Sequence, residues 1–157
     1  MTRSRLSSAA AVTAAALVAA HPVLGNVFEP HGSARLVRSG SGPLFDLRAL
    51  AIGGGATRSV AIRNAGRWPV LMRFSASTLG SASLATRLRI RVSIGRKTVY
   101  SGPLATLRSR ALGRLSAGAR RTYVFRVSLP TAGSPALDNP LQGTRVTARF
   151  TWSAVGG

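Results

Sequence analysis

Apolar and polar residues alternate with a period of two along most of the chain after its first third. In residues 87–94, Leu88, Ile90, Val92 and Ile94 share one face, and Arg87, Arg89, Arg91 and Ser93 share the other. Val70, Met72, Phe74 and Ala76 alternate with Leu71, Arg73, Ser75 and Ser77. Tyr123, Phe125, Val127 and Leu129 interleave with Thr122, Val124, Arg126 and Ser128. Near the end, Val146, Ala148, Phe150, Trp152 and Ala154 alternate with Arg145, Thr147, Arg149, Thr151 and Ser153. Such runs predict half-buried antiparallel strands, with apolar residues inside and arginine outside. Shorter strand candidates are residues 34–38, 44–50, 57–63 and 97–101. Glycine-rich breaks at Gly53-Gly54-Gly55, Asn64-Ala65-Gly66, Gly80 and Gly118, and a long loop from Pro130 to Pro140, separate the runs. Helical signals are weak and confined to residues 80–86 and 103–112. The pattern predicts an all-β, two-sheet antiparallel sandwich of jelly-roll or Ig-like type.

The first residues follow a different rule. Arg3 and Arg5 precede an uncharged Ala/Ser/Val/Leu stretch, Leu6 to Leu17, and Val18-Ala19-Ala20 supplies small residues for cleavage. This reads as a signal helix, residues 1–20, with a second cleavage option after Gly25. The run is too short and alanine-rich for a transmembrane span, which needs about 20 strongly apolar residues. Residues 21–43 then form an extended N-terminal segment, and 44–157 the sandwich domain. No integral membrane anchor is expected after cleavage, and the expected location is extracellular or cell-surface.

Composition narrows the chemistry. There is no cysteine, the only imidazoles are His21 and His31, and the only carboxylate side chains are Glu29, Asp46 and Asp138. Thiolate metal sites and disulfide scaffolds are excluded. Acid/base and metal catalysis need several such groups converging in one pocket. The histidines fall in the N-terminal segment and read as solvated loop residues. A calcium site needs six to eight oxygens, so Asp138-Asn139 before Pro140 reads as an Asx-type turn. The chain is read as non-enzymatic, with no cofactor, no metal and no small-molecule substrate.

The formal charge of +19 comes from 22 Lys+Arg against 3 Asp+Glu. The arginines run from Arg3 to Arg149 without a dense block or interleaved aromatics, as a generally basic surface would. The Arg87/Arg89/Arg91 ladder is the exception. It reads either as a polyanion contact or as a solvated sheet face that discourages edge pairing. Trp152, in phase with Phe150, reads as core, and Trp68 stays undecided between core and surface.

A local pattern occurs twice: Leu47 to Ile62 and Leu112 to Val127 each give a leucine-bearing lead-in, a glycine turn and an Arg/Ser/Thr-rich strand start. It reads as a hairpin or a sheet-crossing loop used twice. Three segments together resemble the camelysin/TasA family. Asp138-Asn139-Pro140-Leu141-Gln142-Gly143-Thr144, followed by a strand ending Phe150-Thr151-Trp152-Ser153-Ala154, resembles that family's C-terminal turn and last strand, through Asn139, Gln142, Gly143, Phe150 and Trp152. Leu115 to Phe125 resembles its Leu-x-Pro-Gly turn with Ala117 in place of proline, and Ile62-Arg63-Asn64-Ala65-Gly66 its Asn-x-Gly hairpin.

The resemblance implies a secreted jelly-roll protein of a family known for extracellular biofilm-matrix fibres. In those fibres an N-terminal segment of one subunit completes the sheet of the next. Here the candidate donor carries Val23, Leu24, Val27 and Phe28. The basic surface and the lack of long insertions depart from the fibre-forming members. The expected function is a non-enzymatic matrix or cell-surface protein that self-associates by donor-strand complementation. The alternative is a monomeric module holding anionic wall polymers or extracellular DNA through its arginines.

Overall fold

The alternating segments become the longest strands of two sheets that pack face to face. The computed structural model describes residues 13–18, 35–39, 44–47 and 50–156. Strands β1 (Thr13–Val18), β2 (Leu36–Arg38) and β3 (Asp46–Leu47) are short. They are followed by β4 (Gly55–Asn64), β5 (Val70–Gly80), helix α1 (Ala82–Arg87), β6 (Arg89–Ile94) and β7 (Lys97–Pro103). The rest are β8 (Arg110–Leu115), β9 (Arg120–Ser128), helix α2 (Pro135–Asp138) and β10 (Arg145–Gly156). Among the described residues one sheet has the order β3-β1-β10-β5-β8 and the other β2-β4-β9-β6-β7. Pairing is antiparallel throughout except for β1, which runs parallel to β10. The chain is an all-β sandwich of two antiparallel sheets. From β4 onward each connection crosses between sheets except the β6–β7 hairpin.

Three local expectations differ from the structure. The signal helix falls on residues 1–20, of which 13–18 are described, and these six form a strand. Thr, Ala, Leu and Val all tolerate extended backbone, and β10 offers a row of backbone groups from Arg145 to Phe150 that β1 pairs. Residues 103–112 hold only a single 3-10 turn, Leu104–Thr106, before β8 begins at Arg110. β8 pairs β5 with a register shift between Met72 and Arg73, which blurs the period of two. Asn64-Ala65-Gly66 is no hairpin, because β4 and β5 lie in different sheets. The helical signal at 80–86 does become α1, whose N-cap Ser81 accepts the Leu84 N–H at 3.1 Å.

The core is built around five aromatic rings. Phe74 of β5 and Phe150 and Trp152 of β10 come from one sheet; Tyr123 and Phe125 of β9 come from the other. Their centroids lie between 5.1 Å (Phe125–Phe150) and 5.9 Å (Phe125–Trp152) apart, in stacked, tilted and edge-on pairs. These separations fall in the favourable range for aromatic pairs. Val146, Ala148, Met72, Ile90, Val92 and Val127 extend the packing. The indole N–H of Trp152 is buried without a hydrogen-bond partner among the described residues. Gly80 (φ 107°) closes the β5–β10 ladder, where a Cβ would meet Arg145 O at 2.5 Å.

One buried polar side chain ties two sheet crossings together. Asn64 is fully buried, and its Nδ2 donates to Trp68 O at 2.7 Å and to Leu115 O and Ser116 O at 3.2 Å. Its Oδ1 accepts the Gly66 N–H at 3.0 Å. Its backbone N–H donates to Ala119 O, and its carbonyl accepts the Gly118 N–H, both at 2.9 Å. The β4–β5 crossing is therefore fastened to the β8–β9 crossing. The pattern used twice in the sequence is a sheet-crossing loop both times, leading into β4 and β9, which are neighbours in one sheet.

Three outcomes follow for stability by urea denaturation. Trp152→Ala should cost about 3–5 kcal/mol, as expected for emptying a core ring site. Trp152→Phe should cost less than about 2 kcal/mol, because it also removes an unpaired donor. Asn64→Leu should cost about 3 kcal/mol, since three carbonyls and an N–H lose their partner at once.

Candidate functional site

Two surfaces stand out, an edge and a face, and they belong to different sheets. The edge is β10. On one side it pairs β5 from Val146 to Gly156. On the other side it pairs only β1, in the register Thr13↔Arg145 through Val18↔Phe150. β1 in turn carries the two-residue β3 through Ala14↔Leu47 and Ala15↔Asp46. Residues of the segment read as a cleavable leader thus cover six residues of the strand that supplies Val146, Ala148 and Phe150 to the core.

The face is the outer surface of the other sheet. Pairing sets Arg91 of β6 directly opposite Arg126 of β9, with Ser101 of β7 on the far side of Arg91. The adjoining row sets Arg89 opposite Ser128. Arg89, Arg91, Arg126, Ser101, Gly102 and Ser128 line a shallow depression of about 340 Å³. All three arginines are exposed, and none of their guanidinium groups has a hydrogen bond or ion pair among the described residues. Opposed like charges on a sheet cost roughly 0.2–1 kcal/mol relative to neutral neighbours. A second opposed pair, Arg63 and Arg120, lies on the same face. Six residues separate Arg120 from Arg126 along β9, or about 20 Å of strand.

Arg87 leaves the expected ladder. It ends α1 instead of opening β6, and its Nη2 donates to Asp138 Oδ1 at 2.9 Å and to Pro130 O at 3.1 Å. The structure replaces it with Arg126. The polar phase of β9 marked Arg126 as outward-facing, but only the β6–β9 register shows which residue it faces. Asp138 is likewise no Asx turn into the last strand. Its carboxylate closes the loop before α2, with Oδ2 accepting from Thr131 Oγ1 at 2.7 Å and Oδ1 from the Ala132 N–H at 2.9 Å. These bonds, the Thr131 hydroxyl first and then the Ala132 N–H and Arg87, hold the Asp138 carboxyl below the ordinary carboxylate range against the opposing effect of burial.

The turn from Asn139 to Gly143 does lead into β10. Asn139–Leu141 makes one 3-10 turn, Gln142 Nε2 donates to Asn139 Oδ1 at 3.0 Å, and Gly143 takes a left-handed φ of 68°. Phe150 and Trp152 are core residues. Trp68, at the β4–β5 crossing, is 52% exposed. Val23, Leu24, Val27, Phe28, Glu29 and both histidines lie outside the described residues. Among the described residues, no three metal-ligating side chains gather.

No protein-family model and no curated protein sequence matches the chain. Among solved structures it is similar to the ASH/PapD-like domain of human CEP192 (PapD-like domain 7), with 8% identity and a TM-score of 0.30, covering 87% of this chain and 99% of that one.

The Asp138 geometry sets an acid limb. A carboxyl whose folded value is depressed stabilises the fold above its unfolded value near 4, and that contribution is lost as pH falls through the folded value. The melting temperature of the parent chain should therefore drop as pH falls from about 5 through the depressed Asp138 value. In Asp138→Asn it should start lower at neutral pH and fall less over the same interval.

Proposed function

We propose that this chain is an exported, non-catalytic β-sandwich subunit of the cell surface or extracellular matrix, which joins further copies by strand addition at the β10 edge. The observation that carries the reading is the β1–β10 ladder. An added strand gains backbone hydrogen bonds along the edge, and alternate side chains supply specificity. β1 demonstrates that this edge accepts an extended segment, and it does so with residues that the sequence places ahead of the cleavage point. Cleavage after Ala20 removes β1 and leaves Arg145 to Phe150 with one unpaired side.

An open edge of that length is a template for pairing with another chain. The mature N-terminal segment of a second copy is the proposed occupant. Its stretch from Val23 to Phe28 is six residues long, the length of the ladder it would replace. Leu24 and Phe28 share one phase of an extended strand, and Val23 and Val27 the other. The resemblance to the camelysin/TasA family supports the same reading, since its fibres are joined through an N-terminal segment.

The test compares three purified chains by size-exclusion chromatography with light scattering and by electron microscopy. The full chain should stay monomeric, because β1 fills the edge. The chain starting at His21 should form concentration-dependent oligomers or filaments. Phe28→Asp in that shorter chain should abolish them with unchanged circular dichroism. Monodisperse particles from all three would defeat the assembly reading.

A further inference from the structure

We infer that the outer face of the β2-β4-β9-β6-β7 sheet binds the phosphate groups of an anionic polymer, with Arg89, Arg91 and Arg126 as its primary contacts. The inference does not depend on strand addition, which uses the other sheet. Four observations converge on it.

The first is the opposition of Arg91 and Arg126 across adjacent strands. A solvated face that serves only solubility gains from spacing its charges, and the other sheet shows that arrangement. There, Arg149 faces Ser77 and Arg73 faces Ser153 across the β5–β10 ladder. Placing two arginines directly opposite raises the local potential at a cost in stability, which a bound anion would offset.

The second is the supply of counter-charge. Asp138 is committed to Arg87, Thr131 and Ala132. None of the residues lining the depression is acidic. The third is donor chemistry. Guanidinium forks match phosphate oxygens in a bidentate way, and the Ser101 and Ser128 hydroxyls at the rim add neutral donors.

The fourth fixes the ligand class. Among the described residues no aromatic side chain lines the depression, which leaves it without a platform for stacking bases. The site therefore reads phosphate and not base. The second opposed pair, Arg63 and Arg120, about 20 Å along β9, suits an extended polymer better than a single small anion. Backbone contacts of this kind position a polymer without selecting its sequence.

The experiment uses the full chain and two triple variants that remove equal charge. Arg89→Ser/Arg91→Ser/Arg126→Ser empties the proposed site. Arg73→Ser/Arg145→Ser/Arg149→Ser removes three exposed arginines from the outer face of the other sheet. Binding to fluorescent inorganic polyphosphate and to labelled oligo-dT is measured by anisotropy across a salt series. The first variant should lose at least about ten-fold in affinity, and its salt slope should fall by about 2–3, close to one per lost contact. The second should lose less than about three-fold, as a loss of general attraction alone would give. The first variant should also melt no lower than the parent, because it relieves the Arg91–Arg126 repulsion.

Loss confined to the first variant supports the site, and the probe that reports it distinguishes a polyphosphate-like source from a nucleic acid. Equal losses in both variants, or none in either, would overturn it and leave only diffuse charge.

Discussion

Five aromatic rings packed between two sheets set the terms for everything else in this molecule. Phe74, Phe150 and Trp152 must come from neighbouring strands of one sheet, and Tyr123 and Phe125 from one strand of the other. That arrangement requires β5 and β10 to pair over their full length and β9 to lie across from them. Each ring removes a large apolar area from water, and the two sheets have nothing comparable on their outer surfaces. The alternate residues of the same strands are consequently directed outward, and there the chain has placed its arginines. Core and basic surface are two sides of a single period-two pattern.

The same constraint explains what could be read before any coordinates. Alternation along residues 70–77, 87–94, 122–129 and 145–154 reported the strands, and Trp152 in phase with Phe150 reported the core. Those signals are local, because side-chain direction depends only on position within a strand. Pairing partners are not local. Nothing within Ile62 to Gly66 says that β5 leaves for the other sheet, or that Asn64 reaches the carbonyls of Leu115 and Ser116. Arg87 shows the limit most sharply. Its parity matched Arg89 and Arg91, but Ser81 capped a short helix that runs through residue 87, and Asp138 claimed its guanidinium from across a loop. Arg126 was visible as an outward residue and invisible as the partner of Arg91.

The N-terminal run illustrates a different ambiguity. An Ala/Leu/Val stretch satisfies the requirements of an export signal, a helix and a strand alike, since alanine imposes little conformational preference beyond a mild bias to helix. What selects the strand is the surroundings. β10 contributes its inner side chains to the core and its far edge to β5, so its remaining edge either pairs or faces water. A segment that can extend and reach that edge gains a ladder of backbone hydrogen bonds, each worth about 0.5–1.5 kcal/mol net. Six residues of low specificity suffice for that ladder.

The edge and the face bear on each other through charge. The chain beginning at His21, without Arg3 and Arg5, keeps a formal charge of +17 that repels its own copies, and the proposed strand addition would bring copies into contact. An anionic polymer held on the opposite sheet would neutralise part of that charge without covering the β10 edge, because the two surfaces lie on different layers of the sandwich. At 0.1 M salt, repulsion between exposed charges persists only within about 10 Å, which is the range at which touching subunits meet, and such a polymer would offset it there. On this view the arginines and the β10 edge that removal of β1 would open belong to one design. In that proposal the backbone of β10 would supply the bond between subunits, and the arginine face would admit the counter-charge that lets them approach. Placing the two proposed functions on opposite sheets would let one strongly basic chain carry both.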